Sequence, residues 1–172
     1  MGQIFRSLVF LCVVTHIVRT AYELLKHKKL IRPDKLTFAI IFIDMVFMWV
    51  SWFVLCRIDP YRTELPEVIN YLGGLIVLAG AVLFLTALFT IKTLETFEGN
   101  LITKGIYSKI RHPMYLGFIF WFFGGPVIYG AAASFALSLI FIANVLYWRS
   151  LEELELEKRF PEYDDYRKRT IF

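Results

Sequence analysis

Charge is scarce in this sequence, and it is unevenly spread. Only 20% of the 172 residues are charged, against about 25% in a typical soluble domain. Residues 149–172 alone hold 13 of the 34 charged side chains. With 58% apolar residues and a mean hydropathy of +0.58, this excludes a disordered chain, a nucleic-acid-binding domain and an ordinary soluble enzyme. The net charge of +4 and pI near 9.1 come without a soluble basic face, so the positive-inside bias of membrane proteins accounts for them. Cysteine is nearly missing. Cys12 and Cys56 both sit in apolar stretches, so neither a disulfide framework nor a metal spacing such as CxxC can be drawn, and no metal is expected. A cleavable signal is not expected either, because the first apolar block runs long and ends in charge without a small-residue cleavage site. Arg6 stands where a myristoylation start needs Ser or Thr.

What is present is a series of long apolar blocks. Five can be drawn, at Ile4–Leu25, Leu36–Cys56, Val68–Ile91, Pro113–Tyr129 and Ala131–Trp148. The last two are close to the lower limit of about 17 residues for a spanning helix. Gly124, Gly125, Pro126 and Gly130 near their junction predict a tight helical hairpin. The expected fold is therefore all-α: a polytopic membrane bundle of about five transmembrane helices, ending in a short hairpin and a charged helical tail. Residues 1–172 read as one domain, with a three-helix membrane part at 1–92 and a loop, hairpin and tail at 93–172.

Loop charges predict the orientation. The first connection carries Lys26, Lys28, Lys29, Arg32 and Lys35 and is assigned to the cytoplasm. The second (Arg57, Asp59, Arg62, Glu64, Glu67) is mixed and faces out. The third (Lys92, Lys104, Lys109, Arg111) faces in again, which leaves the C-terminus cytoplasmic. In the fifth block Gly130, Ser134 and Ser138, flanked by Ala132 and Ala136, form a small-residue stripe that favours close helix packing.

Two polar clusters carry chemistry. Pro113 suits the first position of a helix, where its missing N–H costs nothing. Arg111 and His112 precede it, so the free N–H groups and partial positive charge of that N-terminus add to Arg111 and favour an anionic group. The simplest alternative is an Arg-His pair anchoring the helix at the headgroups. The second cluster follows the last apolar turn, with Arg149, Glu152 and Glu153 within one helical turn. Carboxylates so near the hydrocarbon boundary are costly unless they are paired or hold a ligand. A solvated helix face explains Glu155, Glu157, Lys158 and Arg159 better than it explains Glu152 and Glu153. If the hairpin returns to the cytoplasmic face, the two clusters meet over an apolar bundle. Such a pocket suits a zwitterionic cofactor and a lipid-like substrate.

The pattern Gly105-x-Tyr107-x-x-x-Arg111-His112-Pro113-x-Tyr115-x-Gly117, followed by Glu152-Glu153-x-x-Leu156-x-x-x-Phe160 and Tyr163-x-x-Tyr166, resembles the isoprenylcysteine carboxyl methyltransferase family. Phospholipid methyltransferases share this C-terminal pattern. The resemblance covers roughly residues 101–169. It implies S-adenosylmethionine bound at the cytoplasmic end, with Gly105, Tyr107, His112, Pro113 and Tyr115 around the cofactor and Glu152 and Glu153 as its acidic wall. It also leads one to expect a longer connection than Thr93–Asn100 before the motif, and a Pro-containing extension after Phe172. The implied partners are membrane lipids and a lipid-like or prenylated acceptor; a monomer is compatible with the sequence.

The acceptor follows from which groups remain for it. A carboxylate or thiolate is already ionised and needs only a cation to position it, whereas a phospholipid amine with pKa near 10 needs a base. Arg111 and Arg149 are the expected positioners. The resemblance gives His112 and the Glu pair to the cofactor, which favours a carboxyl or other pre-ionised acceptor, such as a thiolate, over an amine. Carboxyl methylation of the isoprenylcysteine type is expected, with phospholipid N-methyltransferase or thiol S-methyltransferase activity as alternatives. An NADPH-dependent sterol reductase also carries an Arg-His pair, but with Asn in place of the Pro and an Arg-Asp segment where this chain has Glu152-Glu153. A scaffold or transporter would draw support from the intramembrane Asp44, His16 and Arg19. Their bland explanation is pairing between the first two helices, or an Arg19 that snorkels to the interface.

Overall fold

A computed structural model describes residues 2–31, 34–91 and 100–172. Arg32, Lys92 and residues 93–99, on which part of the loop charge and the shortened connection rest, lie outside them. The elements are α1 (Gly2–His27), α2 (Lys35–Ile58), α3 (Glu67–Ile91), a 3₁₀ turn at Gly105–Ser108, α4 (Pro113–Tyr129), α5 (Ala132–Arg159) and α6 (Tyr163–Arg169). Four helices are long and apolar enough to cross a membrane: α1, α2 from Leu36, α3 and α5. At 17 residues α4 is about 26 Å long, against an apolar core of about 30 Å. It nevertheless runs beside its neighbours from one end of the bundle to the other. The chain is thus a polytopic helical membrane bundle.

The helix boundaries follow local chemistry. Asp34 caps α2: its carboxylate accepts the Thr37 N–H at 2.8 Å, and the Thr37 hydroxyl accepts the Asp34 N–H at 2.8 Å. Pro113 opens α4. Gly130 closes it in the left-handed region (φ 58°), which a residue without Cβ adopts freely. The expected tail does not begin at Trp148. Instead α5 runs unbroken for 28 residues to Arg159, because Leu, Glu, Lys and Arg are strong helix formers and the first breaker is Pro161.

Side-chain pairs fix how the helices sit. Cys12 meets Ser51 and Arg19 interacts with Asp44, so α1 and α2 are antiparallel; His16 stacks on Phe141 and Thr20 accepts from Trp148, so α1 and α5 are parallel. The closest approach joins α3 to α4. A Cβ on Gly80 would lie 2.8 Å from the Gly117 carbonyl oxygen, and one on Gly117 would lie 2.7 Å from that of Gly80. Gly124 repeats this against Gly73 one heptad away. Between helices already in lipid, such dispersion contacts replace the hydrophobic effect as the main attraction. The core is aromatic: Trp52 meets Phe122 edge-on at 5.1 Å, and His16 stacks on Phe141 at 3.9 Å.

The small-residue stripe on α5 is fully enclosed, with Ser134 and Ser138 at 0% exposure. Ser134 has a further function. Its N–H and hydroxyl both donate to Asp59 Oδ2 at 2.7 Å, and Asp59 Oδ1 accepts from the Tyr61 N–H. The N-cap residue of α5, Ala131, makes no side-chain cap bond; a carboxylate 75 residues away caps the helix. We expect Asp59→Ala to cost about 1–3 kcal/mol, as an unsatisfied cap does. The midpoint of thermal unfolding in detergent checks this, and an unchanged midpoint would remove Asp59 from the ledger of stabilising contacts.

Candidate functional site at the polar end of the bundle

Pro113 decides where the third loop ends, and so places His112 at the N-terminus of α4 with 4% exposure. The uninterrupted α5 carries Arg149, Glu152 and Glu153 to the same height. The two sequence clusters, 40 residues apart, therefore meet. Arg111 Nε lies 3.2 Å, His112 Nε2 3.3 Å and Arg149 Nη2 3.3 Å from Glu153 Oε1. Glu152 projects on the other side of the His112 ring, 3.9 Å from Nδ1, with its side chain 40% exposed. The sequence treats the two carboxylates as one acidic wall; the structure separates them. Glu153 is the hub on which Arg111, His112 and Arg149 converge, and Glu152 faces a cavity.

The chain beyond α5 folds back over this hub. Arg111 Nη1 donates to the carbonyls of Thr170 (2.7 Å) and Arg167 (3.1 Å), and its N–H donates to Ile171 at 3.0 Å. The Tyr166 hydroxyl donates to the Tyr107 carbonyl at 2.7 Å. Burial pushes that hydroxyl up to about 12, so it stays a donor at every physiological pH. Burial likewise pushes the hydroxyls of Tyr107 and Tyr163 up. Arg149 lies over the Phe172 ring at 4.5 Å.

The resulting cavity has a mixed lining. Tyr107, His112, Tyr115, Glu152, Tyr163 and Tyr166 contribute polar groups, and so does Glu155, which the sequence places on a solvated face. Phe38, Ile41, Phe42 and Met45 of α2 with Phe118 of α4 contribute apolar ones. Of the residues singled out in the sequence, Arg111 also lines it, whereas Gly105, Pro113, Arg149 and Glu153 do not. Gly105 has φ +62° and lies against Thr90 of α3, and Pro113 and Glu153 hold the residues that do line the cavity. Among the described residues no cluster of His, Cys, Asp and Glu that could hold a metal ion is found.

Sequence reasoning missed the contribution of α1. Arg19 and Lys26 line the cavity, and both pair with Glu23, at 2.5 and 2.9 Å. Glu23 is 2% exposed. The spacing i, i+4, i+7 places all three on one helix face, and that pattern was the available signal. His16 does not pair with the second helix as expected: its Nδ1 lies 3.1 Å from Asn144 Nδ2 of α5, in a chain that continues through Thr20 to the Trp148 N–H.

A histidine, four tyrosines and the carboxylates of Glu152 and Glu155 thus share a cavity with apolar side chains in a helical membrane bundle. Residues 68–163 match the model of the family described as phospholipid methyltransferase, and the chain belongs to that family. It is 34% identical over 77 residues to a protein-S-isoprenylcysteine O-methyltransferase of Schizosaccharomyces pombe, covering 41% of this chain and 30% of the relative. It is 29% identical over 94 residues to the protein of the same name from Tribolium castaneum, covering 50% and 33%. The chain thus spans about a third of the length of the curated relatives it matches. No solved structure matches it.

Proposed function

We propose that the chain is an S-adenosylmethionine-dependent methyltransferase acting on a lipid-like or prenylated acceptor at the cytoplasmic membrane face, with a carboxylate of the isoprenylcysteine type as the acceptor group. The observation that carries this reading is the mixed lining of one cavity, which joins Glu152, His112 and four tyrosines to the apolar side chains of α2. The relatives' names support the same chemistry.

The residues fit the cofactor. Its sulfonium and ammonium groups are cations, which aromatic faces and a carboxylate attract. Tyr107, Tyr115, Tyr163 and Tyr166 supply the faces and Glu152 the carboxylate. The Tyr163 hydroxyl is buried without a hydrogen-bond partner among the described residues, and a polar ligand would satisfy it. His112, at the N-terminus of α4, suits the cofactor's own carboxylate. When bound, the cofactor supplies a methyl group that an acceptor oxygen's lone pair takes in line, the C–S electron pair remaining on sulfur. The protein then has to align the acceptor and exclude water. The apolar wall takes the tail and cations hold the carboxylate, which is ionised at neutral pH and needs no base. Glu153 holds Arg111, His112 and Arg149 in register and contributes by positioning.

The test is thermal stabilisation of the detergent-solubilised chain, followed by methyl transfer. We expect S-adenosylhomocysteine to raise the unfolding midpoint and NADPH to leave it unchanged. Stabilisation by NADPH alone would indicate a reductase and sink the reading. Methyl transfer to N-acetyl-S-farnesylcysteine is expected; transfer to phosphatidylethanolamine alone would replace the carboxyl acceptor by an amine.

A further inference from the structure

Among the described residues, four cations line the cavity: Arg19, Lys26, Arg111 and Arg159. Two are committed elsewhere or badly placed. Arg111 gives its guanidinium to Glu153 and to the backbone of residues 167 and 170. Arg159 is exposed at the end of α5, over the Phe160 ring. Arg149, the cation expected to hold the acceptor, is outside the lining altogether. Arg19 and Lys26 lie on one face of α1, each paired with Glu23 of the same helix.

Their setting is that of a prepared anion site. Glu23 is almost inaccessible and does not line the cavity, yet it pairs with both cations and so fixes their heads relative to one another. Both cations also lie over the Tyr22 ring, at 5.4 and 5.6 Å. The side chains of Arg19 and Lys26 are 12% and 17% exposed, so their charges act through a poorly screened medium. Arg19 is within electrostatic reach of Asp44, which sits on α2 between the apolar-wall residues Ile41, Phe42 and Met45. Lys26 is within reach of Glu152 at the polar end. Both cations line the same cavity as Ile41, Phe42 and Met45, so an amphiphile with its tail on α2 would bring its head to them. None of these α1 and α2 residues falls in the family match at 68–163.

We propose that Arg19 and Lys26 form the oxyanion-binding part of the acceptor site. They take the carboxylate or phosphate oxygens of an apolar-tailed acceptor and Glu23 holds them in place; the inference rests on the proposed methyltransferase function. The shared ligand chemistry is an oxyanion on a lipid-like tail. Two sources supply it, a prenylcysteine carboxylate or a phospholipid phosphate.

The experiment measures binding to the full chain in detergent micelles, with and without S-adenosylhomocysteine. One arm compares N-acetyl-S-farnesylcysteine with its neutral carboxamide; the other compares phosphatidylethanolamine with diacylglycerol. In at least one arm wild type is expected to prefer the oxyanion by about tenfold or more, the size of one charge-assisted contact, and that arm identifies the source. Arg19→Gln and Lys26→Gln are expected to reduce the preference to within about twofold of none. Lys26→Arg is expected to restore it, which loss of a merely structural charge would not predict. Affinity for S-adenosylhomocysteine is expected to stay within about twofold of wild type. The proposal is overturned if wild type binds each charged probe no better than its neutral partner, or if both Gln variants keep the wild-type preference. The wild-type comparison needs no variant, so a poorly folding Arg19→Gln leaves it decidable. Absence of any S-adenosylhomocysteine binding would sink the proposed function instead, and the oxyanion preference would still be read in the cofactor-free protein.

Discussion

Glu153→Ala is expected to lower the stability of the solubilised chain by about 2–4 kcal/mol, and Glu152→Ala to leave it nearly unchanged. The two residues are adjacent and chemically identical, so the contrast comes from surroundings alone. Removing Glu153 takes from Arg111 and Arg149 the carboxylate they share and leaves His112 with Glu152 at 3.9 Å. The side chains of Arg111, His112 and Arg149 are 9%, 3% and 23% exposed. Breaking a buried pair on one side costs about 3–5 kcal/mol; partial exposure of Arg149 brings the figure down. Glu152 has its side chain 40% exposed and touches the hub only across 3.9 Å to His112. Its removal is expected to weaken S-adenosylhomocysteine binding about tenfold or more, as loss of a charge-assisted contact does. Tryptophan-fluorescence unfolding and calorimetric binding on the same two preparations check both halves. Equal midpoints for the two variants would contradict the division of labour.

The second large effect is expected at the α3–α4 contact. Gly80→Leu is expected to destabilise the bundle by about 3 kcal/mol or more, as overpacking against backbone does. A Cβ at that position already lies 2.8 Å from the Gly117 carbonyl oxygen and 2.9 Å from Phe120 Cβ. Backbone cannot turn aside as a side chain can, so α3 and α4 must separate. Gly74→Leu provides the control: nothing lies within 4 Å of a Cβ there, and higher helix propensity adds up to about 1 kcal/mol in its favour. Because α4 carries Tyr115 and follows directly on His112, a displaced α4 is also expected to weaken S-adenosylhomocysteine binding if the proposed function holds. If Gly80→Leu and Gly74→Leu unfold together, α3–α4 contact does not hold the bundle.

The elements were legible in the sequence because their signals are local. Apolar length gave the spans. Pro113 and Gly130 gave both ends of α4, and the Arg-His and Glu-Glu motifs gave the two clusters that meet. What stayed hidden depends on which way a helix faces. Segments apolar on all sides, such as α3 and α4, have no polar face from which to read their neighbours, so the glycines at 73, 80, 117 and 124 could not be matched in advance. The difference between Glu152 and Glu153 is a rotation of about 100° about one helix axis, decided by where Arg111 and His112 stand. Asp59 looked like one charge in a mixed loop. Only the return of the α4–α5 hairpin brings the α5 N-terminus to it. Arg19 and Lys26 were read as membrane-edge cations, since nothing local shows that α1 packs beside α5.

The unbroken course of α5 makes that helix a measuring rod. Its N-terminus is fastened to Asp59 through Ser134, and its other end presents Glu152 eighteen residues later, about 27 Å along the axis. One inserted residue between Ser138 and Trp148 would advance the carboxylate by about 1.5 Å and turn it by about 100°, into or out of the cavity. The cavity on one side of the bundle is therefore indexed to a cap on the opposite side, and the thickness between them is counted in turns of a single helix.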